Sequence, residues 1–249
     1  MPAPRQDDES DGAPMQSVTS EELPARCDVL VTAAFDPELT GLRRALGESF
    51  HGRIGNVEVV ARSAGIGLVL ATAGSCALIE TWRPRAVVLV GTAGAYERPD
   101  RGAPALHAAG VVHRVKLCDL GTATGASQLL PAMAVEVLSD EGLRQGLRET
   151  GLPLVDVATT LGITVDDAAA HALWRATDAH VEHMEAYGVA TACSARHVRF
   201  AAVLGVANRV GKSGRVAWRA NHVRAAEAAA TSVLQWLENG APGLSRSHG

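Results

Sequence analysis

"RFAAVLGVANRVG", residues 199–211, is an apolar run that ends in a short polar segment. The run has the length and composition of a buried strand. Asn208 stands where the run becomes polar, and α/β proteins often place their chemistry at such strand ends. An amide cannot supply a proton as a carboxylic acid can, but it can both donate and accept hydrogen bonds. The stretch therefore predicts a strand that carries a neutral hydrogen-bonding group into a site.

Strand-like and helical stretches alternate along the rest of the chain. "CDVLVTAAF" (27–35) and "AVVLVGTAGAY" (86–96) are typical of buried strands, and the second runs into a glycine-rich loop. Between them, residues 68–84 predict a helix rich in small side chains, and residues 218–240 predict a long final helix. This alternation predicts an α/β fold, a single domain with a mixed central sheet flanked by helices.

Both ends of the chain are expected to lie outside this domain. Residues 1–26 are polar, acidic and proline-containing, which is typical of a disordered tail, and they lack the apolar segment of a signal peptide. The domain is expected to cover residues 27–240. A frayed tail is expected over residues 241–249.

The composition argues against several classes of binding partner. A net charge of -4 over 249 residues offers no basic surface for nucleic acid. No apolar run is long enough to span a membrane. The four cysteines are scattered and the nine histidines form no ligand set, so no disulfide framework, metal site or cofactor is expected. These features favour a cytoplasmic protein with reduced, buried thiols.

Several polar and glycine residues follow predicted strands, and each has a plain structural explanation. Gly65, within "AGIG" (64–67), suits a tight turn from strand to helix, and the stretch lacks the third glycine of a dinucleotide-binding motif. Glu38 suits the first turn of a helix, where the helix dipole favours a carboxylate. Asp36 suits the N-cap of that helix.

The C-terminal half offers three more residues of this kind. Met184 is compatible with simple core packing, and Glu182 with a solvent-exposed charge. Asn208 is compatible with an Asx turn at the end of its strand. Local sequence therefore leaves both a structural and a functional interpretation open at each position.

Five pieces of the chain, in order, resemble the purine nucleoside phosphorylase and nucleosidase superfamily. They are "VTAAFDPELTGL", "AGIG", "VVLVGTAGAY", "VEHMEAYGVA" and "GVANRVG" followed by "AWR". No single piece is specific, but their order and spacing between Val29 and Trp236 are. The last piece looks most like the futalosine hydrolases. Those enzymes are similar to methylthioadenosine/S-adenosylhomocysteine nucleosidases but release hypoxanthine from futalosine, leaving dehypoxanthine futalosine, in a route to menaquinone.

The resemblance implies a catalytic role for two residues and a substrate-binding role for two more. Cleavage of an N-glycosidic bond passes through a cation-like ribosyl transition state, so a site needs an activated water, a grip on the ribose and a stabilised leaving base. By resemblance, Glu38 activates the water, Glu185 binds the ribose hydroxyls and Met184 packs on the sugar. Asn208 stabilises the leaving base. An amide there suits a 6-oxopurine better than the aspartate of the adenine-releasing enzymes does.

The resemblance also implies a shelf below the nucleoside. Its residues are Gly91, Thr92, Ala93 and Gly94, with Gly65 and Ile163 as further lining. Phosphorylases of the superfamily bind phosphate through an arginine at the position of Leu89. Because an apolar side chain cannot pair with phosphate, Leu89 favours water as the nucleophile.

Alternatives to a futalosine hydrolase remain at this point. They are a methylthioadenosine/S-adenosylhomocysteine-type nucleosidase, a phosphate-dependent purine nucleoside phosphorylase, and a relative that binds a nucleoside without turning it over. All three imply a small-molecule nucleoside as the partner. The resemblance further implies a homodimer or a larger homo-oligomer.

Overall fold

The computed structural model describes residues 26–99 and 102–244. Apart from residue 26, the predicted disordered tail lies outside these residues, and so do residues 245–249 of the predicted frayed tail. The described residues confirm the predicted fold class, since they form one mixed sheet flanked by helices. None of the described helices is long and apolar enough to cross a membrane.

Strands and helices alternate through most of the described chain. The strands are β1 (Val29–Ala33), β2 (His51–Ile54), β3 (Val57–Ser63), β4 (Ala86–Ala95), β5 (Ala109–Leu117), β6 (Glu136–Leu138), β7 (Leu154–Thr159), β8 (Val181–Glu182) and β9 (Arg199–Arg209). The helices are α1 (Arg43–Leu46), α2 (Leu68–Trp82), α3 (Leu120–Thr124), α4 (Glu141–Arg148), α5 (Asp167–Thr177), α6 (Ala186–Ala195) and α7 (Gly214–Glu238). A 3₁₀ helix (Asp36–Leu42) joins β1 to α1.

The sheet brings three distant strand ends together. Its strand order is β2, β3, β1, β4, β8, β7, β5 and β6, and β9 pairs with both β4 and β5. β1 and β9 run parallel to β4, so the carboxyl ends of all three meet at one edge. β8 pairs antiparallel with the end of β4, through Gly94 and Glu182. The segments that follow β1, β4 and β9 therefore lie at one edge of the sheet, beside β8.

Side chains alternate between two buried layers on either face of the sheet. In β1, Val31 packs in the layer with Trp236 of α7, and Leu30 packs in the layer with Val189 of α6. Gly205 of β9 lies so close to the backbone of α7 that a Cβ there would come within 1.9 Å of a carbonyl oxygen. The close approach fixes α7 against β9 and sets where the first turn of α7 lies.

Two local predictions around the first and fourth strands are wrong. The residues expected to form a glycine-rich loop, 91–94, continue β4, because β9 pairs with that strand as far as Ala95. Asp36 is not an N-cap: Phe35 takes that position, and the Asp36 carboxylate instead accepts a hydrogen bond from the Ser63 hydroxyl at 2.6 Å.

The expectation of a frayed tail from residue 241 is also wrong for residues 241–244. Ala241 and Leu244 are buried. The backbone N–H of Ala241 donates to the Trp236 carbonyl at 2.9 Å, and the Leu244 carbonyl accepts from the Arg199 guanidinium at 2.9 Å. The segment therefore folds back beneath α7 and completes the core there.

Candidate active site

A cavity of about 650 Å³ opens where β1, β4, β8 and β9 end. The volume is in the range of small-molecule sites. Seven of the ten predicted site residues line it: Glu38, Thr92, Gly94, Ile163, Met184, Glu185 and Asn208. The sheet topology thus collects residues that are up to 170 positions apart in the chain, Glu38 and Asn208 being the extremes.

Glu38 presents a buried carboxyl group to the cavity and is only 3% exposed. Its Oε1 accepts hydrogen bonds from the backbone N–H of Thr92 at 2.9 Å and from the Thr92 hydroxyl at 2.8 Å. Its Oε2 accepts a longer one from the Ala34 N–H at 3.3 Å. Burial raises the pKa of Glu38 to about 7, against the opposing effect of the Thr92 hydrogen bonds. A carboxyl group with that pKa is suited to take a proton near neutral pH.

Two aromatic residues support the Glu38 side of the cavity. Trp218, in the first turns of α7, donates from Nε1 to the Thr92 hydroxyl oxygen at 3.0 Å. That contact orients the hydroxyl, which in turn donates to Glu38. The Trp218 and Phe35 rings lie 6.4 Å apart and both line the cavity, giving it an apolar wall.

Glu185 is the second carboxylate in the cavity. It is buried at the start of α6, and its Oε1 accepts a hydrogen bond from the Gly67 N–H at 2.7 Å. Gly67 is the N-cap of α2, and it and Gly65 have φ angles of 82° and 114°, which glycine adopts readily. The "AGIG" stretch is therefore a tight strand-to-helix turn that holds the carboxylate of Glu185. Met184, beside it, is half-buried and lines the cavity.

His183 lines the same cavity and was not among the predicted site residues. Its ring is buried, and Nδ1 lies near the backbone N–H groups of Glu185, at 3.2 Å, and Ala186, at 3.1 Å. Burial lowers the pKa of His183, although the charge of Glu185 opposes this. The ring is therefore neutral at neutral pH. In the sequence, His183 lies between Glu182 and Met184 of the "VEHMEAYGVA" motif, and this position is the signal that could have identified it.

Glu182 is not the solvent-exposed charge that the sequence favoured. It is buried, and its Oε1 accepts from the Thr164 N–H at 3.0 Å. Its Oε2 accepts from the Thr164 hydroxyl at 2.6 Å and from the Tyr96 hydroxyl at 2.9 Å. Burial raises the pKa of Glu182, in competition with these hydrogen bonds. Glu182 therefore ties the loop that carries Ile163 to the sheet.

A β-bulge turns Asn208 into the cavity. Val206 pairs with Ala93 and Asn208 pairs with Gly94, so Ala207 has no partner in β4. The Asn208 Nδ2 donates one hydrogen bond to the Arg209 carbonyl at 2.7 Å.

Glycines on both sides make room for the Asn208 amide. A Cβ at Gly94 or at Gly214 would lie 3.0 Å from the Asn208 Nδ2. The amide is thus held between the backbones of β4 and α7, and among the described residues Oδ1 and the second N–H of Nδ2 have no hydrogen-bond partner.

Three of the predicted site residues do not line the cavity. They are Gly65, Gly91 and Ala93. Gly91 is buried in β4, where a Cβ would lie 3.0 Å from the His183 Nε2 and 3.4 Å from each carboxylate oxygen of Glu38. Leu89 is fully buried within β4. Its side chain is thus part of the core.

Among the described residues that line the cavity, Arg215 carries the positive charge. Lys212, in the same loop region, is mostly exposed and pairs with Asp167 at 3.3 Å. No cluster of three or more histidine, cysteine, aspartate or glutamate side chains suited to a metal ion occurs among the residues that the structure describes.

The sequence of the chain is similar to those of known proteins. Residues 18–238 match the sequence model of the phosphorylase superfamily. A 5'-methylthioadenosine/S-adenosylhomocysteine nucleosidase of Anoxybacillus flavithermus is 25% identical over 216 residues, covering 77% of this chain and 89% of the relative.

Solved structures resemble the chain over most of their length. The futalosine hydrolase of Helicobacter pylori strain 26695 superposes with a TM-score of 0.75 at 17% identity, covering 85% of this chain and 97% of that one. The 5'-methylthioadenosine/S-adenosylhomocysteine nucleosidase of Helicobacter pylori, in complex with butyl-thio-DADMe-Immucillin-A, gives a TM-score of 0.76 at 15% identity, covering 88% and 100%. These superpositions confirm the predicted nucleoside phosphorylase-like fold.

Proposed function

The chain belongs to the phosphorylase superfamily, and from the contents of its cavity we propose that it hydrolyses the N-glycosidic bond of a purine nucleoside. The family match confirms the resemblance drawn from the five sequence motifs. The observation that carries the proposal is the meeting of the buried carboxyl groups of Glu38 and Glu185 with the amide of Asn208 in one cavity.

Glu38 is proposed as the base that activates water. Its Oε1 is already bound twice by Thr92, whereas Oε2 has one long contact and can accept a proton from water. As the water oxygen bonds to C1′ of the ribose, its proton passes to Glu38. The bond from C1′ to the purine breaks, and its electron pair leaves with the base. A pKa of about 7 suits this transfer at neutral pH.

Glu185 is proposed to hold the ribose. Its Oε1 is fixed by the Gly67 N–H, so that Oε2 can accept hydrogen bonds from the 2′- and 3′-hydroxyls. Hydrogen bonds to a charged acceptor are stronger than those between neutral groups. Two carboxylates beside the ribose also stabilise the positive charge that develops on the sugar. Met184 is proposed to pack against the ring.

Asn208 is proposed to select the base. Since one N–H of Nδ2 is used by Arg209, the amide has one N–H and Oδ1 to offer. The edge of a departing 6-oxopurine presents O6 as an acceptor and, once protonated by solvent, N7–H as a donor. The amide matches both. A 6-amino group at that edge would place a second donor against the amide N–H, so that neither donor has an acceptor. An adenine nucleoside is therefore expected to bind less well.

Water rather than phosphate is the proposed nucleophile. A phosphorylase needs cationic groups around the phosphate. Leu89 takes the position of the family's phosphate-binding arginine and is buried in the core. The hydrogen-bond partners of Glu38 are the Thr92 and Ala34 N–H groups and the Thr92 hydroxyl, and none of these groups is cationic.

The substrate we propose is futalosine, which carries a benzoate on its 5′ side. Arg215 lines the cavity and can pair with that carboxylate, whereas Lys212 is occupied by Asp167. A methylthioadenosine/S-adenosylhomocysteine nucleosidase is the second candidate, because the curated relative of that name is 25% identical over 77% of the chain. The two differ in the base released, hypoxanthine or adenine.

Base release followed by chromatography tests the proposal. Futalosine, inosine, aminofutalosine and methylthioadenosine are each offered with and without phosphate, and Glu38→Gln is the control for a contaminating activity. We expect hypoxanthine from futalosine without phosphate, and none with the variant. Strict dependence on phosphate would make the chain a phosphorylase. Tight nucleoside binding without any release would make it a binding protein.

A further inference from the structure

His183 has no part in the reaction as proposed above, although its ring is buried against the reacting groups. The side chain lies between β8 and α6, and its backbone N–H is held by the Ala158 carbonyl at 3.0 Å. It lines the cavity beside Glu38 and Glu185. A polar side chain buried at such a place calls for hydrogen-bond partners at both ring nitrogens.

The contacts of Nδ1 determine which ring nitrogen carries the proton. Two backbone N–H groups, those of Glu185 and Ala186, point at Nδ1 from 3.2 and 3.1 Å. A nitrogen that accepts from two donors carries a lone pair, so the proton of the neutral ring is on Nε2. The Glu185 Oε2 lies 3.3 Å from Nδ1. With Nδ1 unprotonated, this contact is not an ion pair, and Oε2 stays available to the substrate.

The Nε2–H of His183 is therefore a donor of fixed direction. Nε2 lies 3.0 Å from the point where a Cβ on Gly91 would be, and both Glu38 carboxylate oxygens lie 3.4 Å from the same point. His183 and Glu38 thus border one small space above the Gly91 backbone. Within the described residues, Nε2 has no hydrogen-bond partner. Because His183 lines the cavity, a molecule in the cavity is expected to accept this bond.

We propose that the His183 Nε2–H donates a hydrogen bond to the oxygen of the water that Glu38 deprotonates. The inference rests on the proposed hydrolase function. One lone pair of the water is then held by His183, one hydrogen is directed to Glu38, and the second lone pair is aimed at C1′ of the ribose. The water is oriented before the bond to the purine breaks, which lowers the cost of reaching the transition state. No proton leaves His183 during the step.

Two substitutions distinguish the proposed hydrogen bond from Nε2–H to the water from the support that His183 gives to α6. His183→Asn keeps an acceptor near the position of Nδ1 and loses the donor at Nε2. His183→Gln reaches the Nε2 position with an N–H and loses the acceptor for the helix. His113→Asn is the matched control, because His113, on β5 and away from the cavity, pairs with Asp156 of β7.

We expect His183→Asn to lower kcat about 10- to 100-fold, with KM within about twofold and an unchanged unfolding temperature. His183→Gln is expected to keep kcat within about tenfold and to lower the unfolding temperature by about 2–4 °C. The control leaves kcat unchanged. If both variants lose only thermal stability, His183 is a helix cap alone. If KM rises while kcat holds, it binds the ribose. Either result overturns the inference.

The same experiment tells the two proposals apart. Wild-type protein that releases no base refutes the hydrolase function and this inference together. Wild-type turnover with an unaffected His183→Asn variant refutes the inference alone. If His183→Asn fails to fold, the kcat of His183→Gln decides: a loss greater than about 100-fold in a folded variant contradicts a role for the Nε2 donor.

Discussion

Replacing Glu38 with Gln removes a buried carboxyl group whose pKa is raised from 4.5 to about 7. Because the folded state binds this proton more tightly than the unfolded state, Glu38 stabilises the fold most below pH 4.5, and the contribution is lost as the pH rises through about 7. At about 1.4 kcal/mol for each unit of pKa difference, the loss between about pH 5 and about pH 8 is about 2.5 kcal/mol of the free energy of unfolding.

Urea denaturation of wild type and Glu38→Gln at these two pH values measures this loss. The difference between the two proteins isolates Glu38, since Glu182, whose pKa is also raised by burial, titrates in both. We expect the wild-type advantage over the variant to shrink by about 2.5 kcal/mol at the higher pH, while the kcat of the wild type rises over the same interval. A difference that does not change with pH refutes the reasoning that burial holds the proton on Glu38.

Three further substitutions test the geometry of the cavity. Asn208→Asp should lower the ratio of kcat/KM for futalosine to that for aminofutalosine about 100-fold, and an unchanged ratio would remove Asn208 from base selection. Gly91→Ala places a Cβ 3.0 Å from the His183 Nε2, so kcat should fall at least about tenfold in steady-state assays. Activity equal to wild type would show that this space is not used. Glu182→Gln faces an amide N–H towards Thr164 and Tyr96, which are donors, so KM should rise about 5- to 10-fold. An unchanged KM would show that the loop does not touch substrate.

The fold class could be predicted because it follows from local patterns, whereas the candidate site was inferred from the resemblance of five ordered pieces of the chain to a known superfamily. Apolar runs at strand length and the helices between them determine the fold class. Glu38 and Asn208 each lie at the end of a strand that runs parallel to β4, and parallel strands bring such ends together. The parallel pairing therefore brings together two residues that the resemblance, and not the local sequence, had singled out.

The remaining features depend on contacts between distant segments, which no local pattern records. Glu185 is held by Gly67, 118 residues away in the chain. The orientation of Asn208 depends on a bulge at Ala207, which exists only because β9 slips by one residue against β4. Local sequence favours a solvent-exposed charge at Glu182, whereas in the folded protein its carboxylate is buried and accepts hydrogen bonds from Thr164.

Isotope labelling tests the proposed hydrolysis directly, because it identifies both the nucleophile and the purine that is released. Futalosine is incubated with the protein in phosphate-free buffer made with ¹⁸O-labelled water. The sugar product is reduced at once with borohydride, and its mass is measured by mass spectrometry. We expect free hypoxanthine and one ¹⁸O atom on the anomeric carbon of the sugar. A requirement for phosphate, or release of adenine from aminofutalosine with none of hypoxanthine from futalosine, would contradict this expectation.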